Sequence, residues 1–171
     1  GDARDNAVAK LMWHCGANVE MSYGLSASGA TMKLPAKSYV EVFGYSSAIR
    51  YLKKETYRWE EWKEMIRKEL DAGYPLSYGG QSSGWGHAFV CDGYDAQGFF
   101  HINWGWGGYS NGFFALSVLD SNYGNDGYSD SQEMILNIRP SQTGDKKYYV
   151  SETTTGQRTV SYTHLTLPTN S

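Results

Sequence analysis

The sequence lacks several features that would assign it to a specialised class of protein. It has only two cysteines in 171 residues, a length that can bury a full core without disulfides or a metal. Its 15 basic and 18 acidic residues give a net charge of -3, which excludes a strong electrostatic footprint for nucleic acid or an anionic membrane. No apolar run approaches the ~20 residues of a membrane helix. We therefore expect one domain of ordinary size, with no nucleic-acid partner and no membrane span.

Glycine and aromatic residues are abundant instead. The sequence contains 20 Gly, 14 Tyr and 6 Trp, and aromatic residues make up 15% of the chain. This composition is typical of a β-rich domain with tight turns, or of a surface that grips extended polymers. The two cysteines, Cys15 and Cys91, occupy apolar patterns and are expected to be free buried thiols, which indicate no particular compartment.

An amphipathic helix is predicted at the start of the chain, over residues 4–16. Val8, Leu11, Met12 and Cys15 recur there at the i, i+3, i+4, i+7 spacing of one helical face. Such a face normally packs against another part of the protein.

Two further helices are predicted, over residues 35–43 and 59–72, and a polar loop over residues 22–31 precedes them. The helix over residues 59–72 is the clearest, because charged residues fill one face and apolar residues the other. The apolar face holds Trp59, Trp62, Met65, Ile66 and Leu70.

From residue 75 onwards the pattern changes to strands. They are predicted over residues 75–79, 86–94, 97–104, 111–118 and 132–139. Residues 95–98, Asp-Ala-Gln-Gly, are typical of a hairpin turn between the second and third strands. Helices followed by a run of strands indicate an α+β fold.

His87 is the first candidate for chemistry, because it follows small residues at the beginning of an apolar strand. If the hairpin turn centres on residues 95–98, His87 lies opposite a position within 103–106. That window contains Asn103 and Trp104. An Asn side-chain oxygen can accept the imidazole N–H and fix its tautomer, while a neighbouring indole shields the pair from water.

His101 is the competing histidine, and we interpret it as structural. Strand alternation places it on the face of Asn103, but it lacks the glycine-rich approach of His87. A metal shared by the two histidines has no convincing third ligand. We therefore expect no metal and no cofactor.

Three stretches of the sequence resemble the streptopain (interpain) family of bacterial cysteine peptidases over about residues 4–139. They are VAKLMWHCGANVEMSYG with the following SASGA, then WEEWKEMIRKELDAGYPLSYGG, and finally GWGHAFVCDGYDAQGFFHINWGWGGYSNGFFALSVLD. The resemblance implies a papain-like α+β fold, with a twisted antiparallel sheet and flanking helices, present as an incomplete domain. Such a half-fold should expose apolar surface where its missing part belongs.

The resemblance also implies roles for individual residues. His87 matches the catalytic histidine, and Asn103 and Trp104 match its orienting pair. Gly86 matches a position that lines the substrate cleft. Ser28 and Gly29 match the loop that forms the substrate-binding wall.

The family's nucleophilic cysteine has no counterpart in this sequence. It belongs to a helix upstream of the resembled region, in a Gly-Cys-x-Ala-Thr-Ala-like stretch that is absent here, together with the oxyanion-hole donors. Cys15 lies on the following helix and Cys91 on the strand of His87, and neither is a credible nucleophile. We therefore expect this chain to be an inactive histidine-bearing part of a cysteine endopeptidase.

The remaining expectations concern organisation and partners. Residues 1–140 are interpreted as the C-terminal part of the peptidase domain, and residues 141–171 as a polar, disordered and partly non-native tail. By resemblance, the intact protein cleaves polypeptides, is secreted or periplasmic, and is made as a zymogen with a propeptide.

Two alternatives to an active peptidase remain open. One is a catalytically dead homologue. The other is a glycan- or peptide-binding module, suggested by the aromatic residues of the glycine-rich loops, which are Trp85, Trp104, Trp106 and Tyr109.

Overall fold

Residues 2–82, 84–121 and 127–141 are described by a computed structural model of the chain. They form two units, one made of Ala48–Arg139 and the other of the residues before Ala48 together with Pro140 and Ser141. Apart from Ser141, the predicted polar tail lies outside the described residues. No helix in the described ranges is both long enough and apolar enough to cross a membrane.

The unit that contains the N-terminal region has two helices and a very short β-ladder. They are α1 (Ala3–Asn18), β1 (Ser22–Tyr23), β2 (Ser28–Gly29) and α2 (Lys33–Glu41). Asp2 caps α1, because its carboxylate accepts the backbone N–H groups of Arg4 and Asp5 at 2.8 and 3.0 Å. Both helices agree with the predicted ranges to within two residues.

The apolar face of α1 is exposed rather than buried. Val8, Leu11, Met12 and Cys15 are all exposed, so the expectation of a buried thiol is wrong for Cys15 and right for Cys91. The physical reason is that the helical spacing specifies a common face, but the described residues of this unit leave it uncovered.

The second unit is built on a six-stranded antiparallel sheet in the order β3-β8-β4-β5-β6-β7. Its strands are β3 (Arg50–Lys53), β4 (Leu76–Gln81), β5 (Gly86–Tyr94), β6 (Phe100–Asn103), β7 (Gly112–Phe114) and β8 (Asp130–Leu136). Five of them were predicted and β3 was not. Together with the helices, the sheet confirms an α+β fold.

The predicted hairpin between β5 and β6 is present. Asp95 Oδ1 accepts the N–H groups of Gln97 and Phe99 at 3.0 and 2.8 Å, which closes the turn. Gly98 has a φ of 87°, a left-handed conformation that glycine adopts without strain. The hairpin places Val90 opposite Asn103 and Cys91 opposite Ile102.

Helix α3 (Trp59–Asp71) supplies one side of the core of this unit. Trp62 and Ile66 are fully buried, whereas Trp59 lies at the edge with the Lys54 ammonium 4.2 Å from its ring centroid. The Trp62 indole N–H donates to Tyr78 Oη at 2.7 Å, and Tyr78 in turn donates to Gln132. This chain ties α3 to β4 and β8, and burial raises the pKa of Tyr78.

Candidate active site

His87 is the second residue of strand β5, and its side chain lies on the face of the sheet that holds the core. It pairs with Gly80 on β4, and the next residue on its face, Phe89, is buried. A Cβ atom on Gly80 would lie 1.9 Å from the Tyr128 carbonyl oxygen, so only glycine allows this close approach. The approach brings Tyr128 beside His87.

The imidazole of His87 is held by a backbone carbonyl. His87 Nε2 lies 2.8 Å from the Trp104 carbonyl oxygen. Since a carbonyl oxygen only accepts, Nε2 must carry the proton. In the neutral ring the lone pair is therefore on Nδ1, which is the atom available as a base.

Four aromatic rings surround the half-buried imidazole. Trp106 stacks on it with ring centroids 4.8 Å apart and an interplanar angle of 21°. The other three ring centroids are 5.4 Å away for Tyr128, 5.9 Å for Phe89 and 6.2 Å for Trp104. These contacts limit the rotation of the imidazole and exclude water from one of its faces.

The Trp104 carbonyl is itself held rigidly in place. Trp104 is fully buried, its backbone N–H donates to Asn111 Oδ1, and its indole N–H donates to the Ser110 carbonyl, both at 3.0 Å. Because both its side chain and its backbone are hydrogen-bonded, Trp104 holds its carbonyl in one orientation. That direction sets the orientation of the His87 ring.

The side chain of Asn103 serves the turn after β6. Its Oδ1 accepts the backbone N–H of Gly105 at 3.0 Å. Asn103 is opposite Val90, and because side chains alternate along a strand, its face is the reverse of the face of His87. The structure therefore brings His87 to the Trp104 carbonyl and not to the Asn103 amide.

Trp106 is the site residue that sequence reasoning did not assign to His87. It was considered only among the aromatic residues of the alternative binding module. The useful signal was the Trp-Gly-Trp pattern around Gly105, whose φ of 80° turns the chain after β6. Such a turn can bring the second indole back beside the first.

Gly86 is the first residue of β5 and pairs with Gln81 on β4. A Cβ atom on Gly86 would lie 3.8 Å from Gln81 Cγ and from the Gly80 carbonyl oxygen, so it would make only ordinary van der Waals contacts. The preceding Trp85 is exposed, and its carbonyl accepts the Ser82 N–H at 2.9 Å. The predicted cleft role of Gly86 stays a prediction.

Ser28 and Gly29 form β2 in the other unit. They pair with Tyr23 and Ser22, respectively, and both are exposed. Their predicted role in the substrate-binding wall also stays a prediction.

Neither cysteine has the properties of a nucleophile. Cys91 is fully buried, and burial raises its pKa to about 12. Its position four residues after His87 on one strand puts it about 13 Å away along β5. Partial burial also raises the pKa of Cys15, so both thiols stay protonated at neutral pH.

His101 belongs to a separate cluster. Its Nδ1 lies 2.5 Å from Asp92 Oδ1, and Phe113 packs edge-on against its ring at 5.0 Å. Within the described ranges, no three metal-ligating side chains gather closely enough to hold an ion.

A small polar recess of about 120 Å³ lies at the end of strand β4, near the Gly80 that pairs with His87. It lies where β3 and β4 end and β8 begins. Its lining consists of Lys53, Glu55, Gln81, Ser131, Gln132 and Glu133. Tyr51 donates a hydrogen bond to Glu133 beside it. The surroundings of His87 are thus aromatic, whereas this nearby recess is lined by polar and charged side chains.

The sequence and the fold both resemble known cysteine peptidases. Residues 1–114 match the sequence model of the peptidase C10 family. The chain is 39% identical over 140 residues to the thiol protease/hemagglutinin PrtT of Porphyromonas gingivalis, covering 79% of this chain and 16% of that protein. It is 38% identical over 104 residues to streptopain of Streptococcus pyogenes, covering 61% of this chain and 26% of streptopain.

A solved structure gives the same result. The active wild-type interpain A cysteine protease of Prevotella intermedia superimposes with a TM-score of 0.74 at 37% identity, covering 78% of this chain and 56% of that one. The chain therefore spans about a sixth to a quarter of the two curated relatives and about half of the interpain A chain.

Proposed function

This chain belongs to the peptidase C10 family of streptopain-like cysteine peptidases and has their papain-like α+β fold, and we propose that it carries the general base of a cysteine endopeptidase. The base is His87. The observation that carries the proposal is the 2.8 Å contact between His87 Nε2 and the Trp104 carbonyl, because it leaves Nδ1 as the basic atom.

The proposed mechanism uses His87 first as a base and then as an acid. Nδ1 takes the proton of a cysteine thiol and forms a thiolate–imidazolium pair. The thiolate attacks the peptide carbonyl carbon, and Nδ1–H gives the proton to the leaving amine as the C–N bond breaks. Neutral His87 then takes a proton from water, whose oxygen attacks the thioester. The C–S bond breaks, the acid product leaves, and the imidazolium returns its proton to the released thiolate.

We propose that the nucleophilic thiol comes from a segment other than the residues of this chain. Cys91 is fully buried, and partial burial of Cys15 raises its pKa, so the surroundings of neither thiol favour a thiolate. Without a nucleophile no acyl-enzyme forms, and the chain by itself should hydrolyse nothing measurable. His87 is then half of a catalytic pair.

The neighbours of His87 have positioning roles in this proposal. Trp104 orients Nε2–H through its carbonyl, and Trp106 covers one face of the ring. Asn103 acts one step further away, since its bond to Gly105 shapes the turn that presents both tryptophans. Gly86 directly precedes His87 on β5, and by family resemblance its backbone lines the substrate cleft.

Substrate and cellular setting follow from family membership. We propose a polypeptide substrate, with Ser28 and Gly29 in the wall that contacts it. We also propose that the intact protein is secreted or periplasmic and is made with a propeptide. The mechanism requires no cofactor.

A glycan- or peptide-binding module remains the second candidate, because Trp85 and Tyr109 in the glycine-rich loops are large, exposed aromatic residues. Binding by such a module would depend on these rings and not on His87. Substituting His87 therefore separates the two candidates.

The deciding experiment is a peptidase assay on the longer reading frame that encodes this chain. We expect cleavage that iodoacetamide abolishes and that His87→Ala lowers by about 10²–10⁴-fold, the usual contribution of a general acid–base. His101→Ala is the matched control, because it removes a histidine on the same hairpin that lies against Asp92. Equal losses in the two variants, or cleavage that persists after alkylation, would contradict the proposal.

A further inference from the structure

The loop between strands β6 and β7, residues 104–111, carries two of the contacts that fix the imidazole of His87. At its start, the Trp104 carbonyl accepts the Nε2–H of His87, and within it the Trp106 indole stacks on the ring. Any movement of this loop would move the acceptor and the stacked ring together. The orientation of His87 therefore depends on how the loop is closed.

The backbone of this loop gains little rigidity from its own sequence. Left-handed φ values between 58° and 92° occur at four of its residues, Gly105, Gly107, Gly108 and Ser110. Glycine reaches this conformation without strain, but it reaches many others as well, so a glycine-rich loop is ordered only where other contacts hold it. The hydrogen bonds at the two ends of the loop are therefore important for its conformation.

Asn111 closes the loop through its side chain. The ladder between β6 and β7 ends at the pair of Ile102 and Gly112. Two residues beyond Ile102, the Trp104 N–H donates at 3.0 Å to Asn111 Oδ1, so a side-chain oxygen serves in place of a strand carbonyl. The backbone N–H of Asn111 donates to the Gly108 carbonyl at 3.4 Å, which turns the chain back towards β7.

The two peptide groups on either side of the Trp104 α-carbon are both held by asparagine side chains. Asn111 Oδ1 accepts the Trp104 N–H, and Asn103 Oδ1 accepts the Gly105 N–H at 3.0 Å. The second of these peptide groups contains the carbonyl that His87 contacts. Because Trp104 is fully buried, the loss of Asn111 would leave its N–H without this acceptor in a place where a missing hydrogen bond is costly. The backbone of Trp104 should then rotate towards another acceptor and take the carbonyl with it.

We propose that Asn111 is a positioning residue for the general base. By fixing the N–H of Trp104, it fixes the carbonyl that keeps the proton of His87 on Nε2. By closing the loop, it also keeps Trp106 against the ring. This inference rests on the proposed function, in which Nδ1 of His87 is the basic atom. Asn111 is itself exposed, so its substitution should disturb His87 more than the fold.

The first test reads the tautomer of His87 in variants of this chain by long-range ¹H–¹⁵N NMR, at a pH where the ring is neutral. Asn111→Ala removes the acceptor and should replace the single Nε2–H form by a mixture of both tautomers. Asn111→Asp keeps an acceptor oxygen in the same place and should preserve the Nε2–H form. Asn137→Ala is the matched control, because the amide of Asn137 donates to the Ala48 carbonyl beyond the end of β8 that is away from His87, and it should also preserve that form.

A single Nε2–H tautomer in Asn111→Ala would overturn the proposal. Loss of the amide signals of the sheet in that variant would overturn it as well, because Asn111 would then hold the fold and not the base. Asn111→Leu has a similar size and no acceptor, so it should give the same mixture. A mixture in only one of these two variants, or a mixture in Asn111→Asp or Asn137→Ala, would contradict a role for the hydrogen bond.

The second test measures peptidase kinetics on the enzyme encoded by the longer reading frame. Asn111→Ala should lower kcat by about 10- to 100-fold, the scale of a small misplacement of a catalytic group, with KM within about twofold. Asn111→Asp should recover most of the loss. The two proposals fail separately. An inactive parent enzyme rejects the proposed function, whereas an active parent whose Asn111→Ala variant keeps its kcat rejects only the role of Asn111.

Discussion

The sheet unit and helix α1 contain the same kinds of apolar residue in opposite surroundings. Met134 and Cys91 are fully buried in the sheet unit, whereas Met12 and Cys15 are exposed on the apolar face of helix α1. In the sequence, these residues lie among other apolar residues in both places. The difference teaches that the sequence pattern specifies which side chains share a face, but it does not specify whether another part of the protein covers that face.

The largest expected difference concerns the two methionines. Met134→Ala should lower the free energy of unfolding by about 2–5 kcal/mol, because it opens a cavity in a packed core. Met12→Ala should change it by less than about 0.5 kcal/mol, because its side chain is already in water. Urea denaturation of the two variants measures both values. Similar losses would mean that Met12 is buried and that the apolar face of helix α1 is covered within this chain.

A smaller effect separates two glycines near His87. Gly80→Ala forces a Cβ against the Tyr128 carbonyl and should cost about 1–3 kcal/mol. Gly86→Ala meets no atom closer than 3.8 Å and should be within about 0.5 kcal/mol of the parent. Chemical denaturation followed by tryptophan fluorescence provides the comparison. If Gly80→Ala were neutral, the close approach of Tyr128 to β4 would be wrong.

The two thiols should differ in how they link stability to pH. Burial raises the pKa of Cys91 from 9.0 to about 12, so the unfolded chain loses this proton first as the pH rises. The contribution is therefore complete below about pH 9 and is lost between about pH 9 and pH 12. At pH 10 the loss should be on the order of 1 kcal/mol.

Comparing unfolding free energies at pH 8 and pH 10 tests this linkage. Cys91→Val should remove this loss, while Cys15→Ser should keep most of it. An identical pH dependence in the two variants would show that Cys91 is not buried as described.

Much of the fold was predictable because its signals are local. The charged and apolar faces of α3 and the Asp-Ala-Gln-Gly turn each specify their element within a few residues. The family resemblance is confirmed by the match to the peptidase C10 family and to interpain A. Strand β3 was missed because four residues, Arg50–Lys53, carry too little pattern to predict a strand.

The site was predictable only in part. His87 and Trp104 are brought together as the hairpin suggested, but the contact is made by a backbone carbonyl, which every residue has and which leaves no trace in the sequence. The Asn103 amide lies on the other face because strand alternation continues through Val90. Trp106 reaches His87 through a turn whose direction depends on Gly105, and turn direction is not readable from composition.

The most direct test of this account is the tautomer of His87, read from long-range ¹H–¹⁵N NMR spectra of this chain. His87→Gln identifies the signal among the four histidines. We expect neutral His87 to carry its proton on Nε2, which donates to the Trp104 carbonyl. Nδ1 is then unprotonated and can accept a proton from a thiol. A neutral ring protonated on Nδ1 would contradict it.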